Sequence, residues 1–402
     1  MIFNDLPESV AGTYQKTHSW INFQCNLSDA PVALWMRLGE AQSKCEHIAG
    51  VPLKPEIAKN LYLLYLAKGV HATTSIEGNT LSEEQVQQQI AKGLKLPKSQ
   101  EYLGQEVQNV VDACNQITAD LRREPRLLLT SDRICQFNAL VLRGLDVEDD
   151  VRPGEFRRHS VGVGNYRGAP WQDCPHLLER LCDWLNHDFG DPPSDELRFA
   201  FVLIKTILAH LYIAWIHPFG DGNGRTARLV EFLLLVQSGV PWPACHLLSN
   251  HYNKTRARYY AELDRSSKVS NGVVRFLHYA VEGFVDGLKE QIDYIRTQQW
   301  AVTWENHVHD RFRDRDTPSS KRQKHLLLDL PGRPVTRKEL AQVSPRVASE
   351  YAGRGEKTLT RDINALMKMG LLLRRGKGYV ANRDLILAFL PPRFEDPPDD
   401  AA

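Results

Sequence analysis

Apolar residues recur at helical spacing through most of the chain. From Pro55 to Thr74, the residues Ile57, Leu61, Leu64, Leu66 and Val70 keep to one side of a helix. Ser82 and Gln85 have capping-box spacing ahead of Val86 and Ile90, which predicts a new helix start near Ser82. Glu106–Leu121 and Ser131–Leu142 read as further amphipathic helices. Ser194, Asp195 and Glu196 make a helix start. The run that follows to Trp215 is apolar nearly all round and is expected to be the central core helix. Ala227–Gly239 continues the pattern, and the overall expectation is a mainly α protein.

Arg152–Pro170 departs from it. Val161 and Val163 alternate with Gly162 and Gly164, which predicts a short β-hairpin. Helical periodicity returns and runs to about Trp300, then weakens in the charged stretch Glu305–Ser320. Beyond it, Lys321–Leu330, Thr336–Gln342 and Thr358–Met369 read as three helices, and Leu371–Val380 as two strands around a basic turn. That order is similar to a winged helix.

At 402 residues the chain is longer than one ordinary domain, and 42% hydrophobic with 25% charged residues is a globular composition. Seven cysteines with no C-x-x-C pair fit reduced thiols, which argues for a cytoplasmic protein. No signal-peptide layout is seen in Met1–Gln15. The most apolar stretch, Phe199–Ile216, is interrupted by Lys205 and His210, so no membrane partner is expected. Net charge is +1 overall, but Ser319–Ala381 carries +9 and the remainder −8. A basic module on an acidic body is the asymmetry of a chain that meets nucleic acid. On a winged helix, Thr358, Thr360, Arg361, Asn364 and Lys368 would face the major groove, with Arg374, Arg375 and Lys377 on the wing. Such modules also bind protein or dimerise.

The run His217–Arg228, HPFGDGNGRTAR, concentrates chemistry between two helices. Gly222, Asn223 and Gly224 allow a sharp turn with exposed N–H groups at a helix N-terminus, an anion cradle. Arg225 and Arg228, three apart on a helix, reach one polyphosphate together. Asp221 is an oxygen ligand suited to Mg²⁺, and His217 a base near neutral pH. Together these parts form a phosphoryl-transfer constellation.

This run resembles the Fic family signature H-x-F-x-[D/E]-G-N-G-R-x-x-R and matches it at His217, Phe219, Asp221, Gly222, Asn223, Gly224, Arg225 and Arg228. The resemblance implies a Fic-type helical core with a hairpin flap that moves AMP from ATP, with Mg²⁺, onto a hydroxyl of a protein target or of the chain itself. His217 would deprotonate that hydroxyl and Asp221 would hold the metal. Gly222, Asn223, Gly224, Arg225 and Arg228 would hold the ATP phosphates, and Phe219 would anchor the loop. Thr73–Gly78, TTSIEG, resembles the family's inhibitory signature through Thr73, Glu77 and Gly78. By that resemblance Glu77 would pair with Arg228 where the γ-phosphate belongs. Read without the family, Glu77 is a helix-end carboxylate. Ser160, Val161, Gly162 and Val163 would form a flap edge that registers the target's backbone. Tyr259 and Tyr260 fall where relatives contact adenine, though both suit plain helix packing.

The expected layout is an N-terminal helical region over 1–120 with the inhibitory helix near 57–78, and a catalytic core over 121–300. A linker over 301–320, a winged-helix domain over 321–390 and a disordered tail over 391–402 follow. AMP removal at the same site, or a DNA-binding regulator with a vestigial site, are the rival readings. The sequence names neither the protein target nor the oligomeric state; a homo-oligomer is compatible with it.

Overall fold

The computed structural model describes residues 13–28, 30–164 and 166–387, and the chain divides into two units at Ile292/Asp293. The expected tail over 391–402 lies outside the described residues.

The first unit is a helical assembly. Helices α1 (Thr13–Thr17), α2 (Val32–Gly50), α3 (Pro55–Ile76), α4 (Glu83–Lys92), α5 (Glu101–Arg123) and α6 (Ser131–Leu142) lead to a two-stranded ribbon, β1 (Gly162–Val163) and β2 (Tyr166–Arg167). Helices α7 (Cys174–Asp183), α8 (Arg198–Ile216), α9 (Asn223–Gln237), α10 (Leu247–Lys254) and α11 (Arg256–Ser266) follow, and α12 (Gly272–Arg311) contains the division. The expected boundary near 120 falls inside α5, so the N-terminal helices and the catalytic helices make one body.

Helix α8 is the core helix, as its all-round apolar sequence predicts: Leu203, Ile207, Leu208, Leu211, Tyr212 and Ile216 are all sealed from solvent. With the turn ahead of it, Asp195–Ile216 is long and apolar enough to cross a membrane despite Lys205 and His210, yet it is mostly buried inside this unit. Its chief neighbour is α9, and α3 packs on α10 and α5 on α6. The connection between α8 and α9 is therefore held on both sides by the best-packed pair in the unit.

Helix α12 persists to Arg311, into the first half of the segment expected to be a linker over 301–320. Trp304 and Val308 are four apart and buried, so an apolar stripe continues beneath the charges. The second unit then sets α13 (Pro318–Asp329), β3 (Val335–Thr336), α14 (Arg337–Leu340), α15 (Pro345–Tyr351), α16 (Glu356–Lys368), β4 (Leu372–Arg375) and β5 (Gly378–Ala381) around one core. The sheet is antiparallel in the order β3-β5-β4, with Val335 opposite Tyr379 and Leu373 opposite Val380. Its core contains Leu326, Leu340, Val347, Ile363, Leu366 and Leu371. Buried Asp362 ties it together, accepting from Arg322 Nε at 3.0 Å and the Tyr351 hydroxyl at 2.9 Å.

Candidate active site

Helix α8 ends at His217, which adopts φ 50 and ψ 60, a left-handed conformation unusual for a residue with a side chain. The strain is compensated by contacts. The His217 carbonyl accepts from Arg157 Nε at 2.6 Å, and its Nδ1 faces the Ala214 carbonyl at 3.4 Å. Burial pushes the imidazole down to about 4, with the Arg157 charge adding to it against the pull of the Ala214 carbonyl. With Nδ1–H turned toward that carbonyl, Nε2 is the atom left to accept a proton.

The loop that follows is closed by its own residues. Asn223 accepts from the Phe219 N–H at 3.0 Å and donates to the Phe219 carbonyl at 2.8 Å. Its side chain is thus spent on the loop, and what Asn223 offers an anion is its backbone N–H at the start of α9. Phe219 is buried and stacks on Phe156. Asn138, fully buried on α6, donates to the Asp221 carbonyl at 2.8 Å and accepts from Gly154 N–H at 2.9 Å. Gly222 turns the chain at φ +75, where a Cβ would press on Asn138 and Leu142. From there α9 begins, and its first N–H groups have no partner within the helix.

A carboxylate already stands over those groups. Glu77 is the C-cap of α3, where Asn79 N–H bonds the Thr74 carbonyl at 3.1 Å and Gly78 N–H the Ser75 carbonyl at 3.0 Å. This is a Schellman turn, and Gly78 supplies its positive φ of +103. The Glu77 carboxylate accepts from Arg228 Nη2 at 2.6 Å and lies against Gly224, where a Cβ would collide with it. A carboxylate is unfavourable at a helix C-terminus. Here burial pushes it up, but Arg228 outweighs that, helped by Arg225 and His217, and the carboxyl is held below its ordinary value. Arg228, itself buried, is fixed further by Thr73, whose hydroxyl accepts from Nε at 2.6 Å and whose carbonyl accepts from Nη2 at 3.0 Å. Both expected readings of Glu77, helix end and arginine partner, therefore hold at once.

Arg225 is bracketed by two carboxylates, Glu106 on α5 in a short contact and Asp221, whose oxygens both lie 3.3 Å from Nη2. Asp221 is half exposed at the mouth of the loop. No cluster of three or more metal-ligating side chains occurs among the described residues. A lone accessible carboxylate beside an anion cradle still suits Mg²⁺, which keeps several waters and takes its other ligands from phosphates.

A cavity of about 490 Å³ opens beside these groups, lined by Glu77, His217, Gly224, Arg228, Trp215 and Tyr259 among others. Tyr259 is buried, with its hydroxyl 2.9 Å from His210 Nε2, whereas Tyr260 is partly exposed. Both line the cavity. The ribbon β1–β2 pairs Gly162 with Arg167 and Val163 with Tyr166, and the Val161 carbonyl accepts from Gly168 N–H at 3.1 Å. Ser160 and Val161 precede the first strand. At Gly168 the ribbon passes so close to His217 that a Cβ would lie 2.9 Å from its Cβ.

Three residues of this site, Arg157, Asn138 and Glu106, escape sequence reasoning. Arg157 donates to the His217, His159, Ala169 and Ile216 carbonyls. Asn138 and Glu106 were just described, and Arg256 caps the end of α3 at the Ser75 carbonyl, at 3.0 Å, and the Ile76 carbonyl.

This helical core, with its closed loop between α8 and α9, matches the Fic/DOC family model over residues 128–235. It is 31% identical over 206 residues to the protein adenylyltransferase fic-1 of Caenorhabditis briggsae, covering 51% of this chain and 36% of that protein. The protein adenylyltransferase Fic of Drosophila willistoni is 31% identical over 177 residues, 43% of this chain and 32% of its own length. The chain thus spans about a third of the length of these relatives. Among solved structures, a Fic family protein from Desulfovibrio desulfuricans shares the fold with a TM-score of 0.55 at 19% identity, over 89% of this chain and 97% of that one.

Proposed function

We propose that the chain is an autoinhibited protein adenylyltransferase. The observation that carries this reading is the Glu77 carboxylate seated on Gly224 and Arg228, at the mouth of a nucleotide-sized cavity that also exposes His217. The names of the relatives, protein adenylyltransferases, agree with it. His217 Nε2 takes the proton of a protein hydroxyl whose oxygen bonds the α-phosphorus of ATP. The bond from that phosphorus to the bridging oxygen breaks, and pyrophosphate leaves with the electron pair. Backbone N–H groups at Gly222–Gly224, with Arg225 and Arg228, stabilise the growing charge, which is where most of the acceleration of such transfers arises. Asp221 would hold Mg²⁺, which when bound shields the phosphate charge. Glu77 sits where a phosphate would, so ATP seats productively only when that carboxylate withdraws. Tyr259 and Tyr260 form the base side of the cavity, and the outer edge of β1 pairs with an extended stretch of the target.

The test is transfer of label from α-labelled ATP with Mg²⁺. Label should rise sharply in Glu77→Gly and vanish in Glu77→Gly/His217→Ala. ATP binding without label on the chain or on any added protein would turn the reading towards AMP removal.

For the second unit the proposal is a DNA-binding winged helix. Arg361, Asn364 and Lys368 stand exposed on α16, as do Arg374 and Arg375 at the end of β4 and Lys377 on its turn to β5. The full chain should bind duplex DNA with affinity falling steeply with salt, and Arg361→Glu/Arg374→Glu should abolish it. Binding that ignores both changes would remove the proposal.

A further inference from the structure

Both arginines of the loop face carboxylates, but the two carboxylates are mounted differently. Glu77 terminates a helix at a glycine turn and remains about a third exposed, 29% for its side chain. Glu106 sits within the 23-residue helix α5, with its side chain 12% exposed. One Glu106 oxygen meets Arg225 Nη1, and the other accepts from Asn79 Nδ2 at 2.8 Å. Asn79 is itself fixed by donating to the Leu103 carbonyl at 3.0 Å. Glu77 thus stands at a helix end with one side-chain partner, Arg228, whereas Glu106 stands within a helix with a partner on each oxygen.

Arg225 depends on that mounting. Its Nε is buried without a hydrogen-bond partner, and its remaining contact, to Asp221, is long at 3.3 Å and reaches a half-exposed side chain. Without Glu106 the guanidinium would keep only that loose tether. An arginine that clamps a polyphosphate must hold its fork in one orientation, since the bidentate geometry carries much of the interaction.

The geometry points to Glu106 as a positioning residue that holds the Arg225 guanidinium ready for the β- and γ-phosphates of ATP. This inference rests on the adenylyltransferase reading above. Glu106 touches no reacting atom and acts through Arg225. Its own negative charge opposes ATP, but that repulsion is already neutralised by the contact with Arg225, so loss of orientation should outweigh relief of charge.

The experiment is calorimetric binding of ATP and of AMP to Glu77→Gly protein, where the cradle is clear, with and without Glu106→Gln. ATP should bind roughly tenfold more weakly in Glu106→Gln, the loss of about one charge-assisted hydrogen bond, while AMP affinity stays unchanged. Adding Glu106→Gln to Arg225→Gln should cost nothing further, because the two residues act as one. If Glu106→Gln fails to fold, Glu106→Asp keeps the charge, shortens the reach and should show the same selective loss. Equal weakening of ATP and AMP, unchanged or tighter ATP binding, or an additive loss in the double variant would each overturn the inference. Should Arg225→Gln itself fail to separate ATP from AMP, the phosphate-clamp reading falls and takes this one with it.

Discussion

Glu77 and Arg228, 151 residues apart, meet at 2.6 Å directly above the Cα of Gly224. The contact closes an anion cradle with an anion of the protein's own. On the proposed reading Gly224 is the point at which Glu77 and nucleotide compete, and a methyl group there would exclude both. Gly224→Ala should abolish ATP binding by calorimetry even in the Glu77→Gly background. Retained affinity in that double variant would show that the phosphates lie elsewhere.

Thr73 supports the same contact from behind, presenting its hydroxyl to Arg228 Nε at 2.6 Å. Thr73→Val keeps the shape and leaves a buried guanidinium N–H unpaired, at a cost of about 1–3 kcal/mol. Part of that cost falls on the inhibited arrangement. Label transfer should rise above wild type in Thr73→Val yet remain below Glu77→Gly.

Buried imidazoles govern the acid side. His217 is pushed down to about 4 by burial, with Arg157 opposing its charge, so as a base it stays neutral well below the ordinary histidine value of about 6.5. In Glu77→Gly, the acid limb of kcat/KM should consequently fall well below pH 6 rather than near it. His246, stacked on Phe232, is likewise pushed to about 4 by burial. The unfolded chain protonates such groups from about pH 6.5 downward and the folded chain does not, so stability falls as pH drops from about 6.5 to 4. Thermal unfolding of wild type and His246→Gln across that range checks the sign: the substitution should flatten the slope.

Arg157 offers a fourth test. Buried, it joins four carbonyls, those of His159 and Ala169 on either side of the ribbon and those of Ile216 and His217 at the end of α8. Lysine cannot reproduce that fork. Arg157→Lys in the Glu77→Gly background should lower kcat by about ten- to a hundredfold with ATP affinity little changed, since misplacing a base affects the chemical step.

The loop from His217 to Arg228 was legible because its features are local: imidazole, turn, cradle and arginines follow one another within twelve residues. Glu77 was legible only beside it. Glu106 lies 119 residues from Arg225, and Arg157 lies 60 from His217. In sequence Glu106 is one more acid on an amphipathic helix, and Arg157 one more base in a glycine-rich stretch. Their meaning is given by partners that only the folded chain supplies. The Asn223 side chain is a further case, since its bonds to the Phe219 N–H and carbonyl follow from how the loop folds. The helices themselves were visible wherever an apolar stripe was long. The short α15 was missed, and α12 was cut early because surface charge concealed Trp304 and Val308.

Because one guanidinium grips both the Ala169 carbonyl, two residues past β2, and the carbonyl of His217, the distance from ribbon to imidazole is a fixed ruler. Any extended chain that pairs with β1 is measured along it in steps of about 3.3 Å, the rise of one strand residue. Selection of an acceptor would then be a matter of counting: a hydroxyl one residue out of step points to the opposite face, whatever its neighbours are.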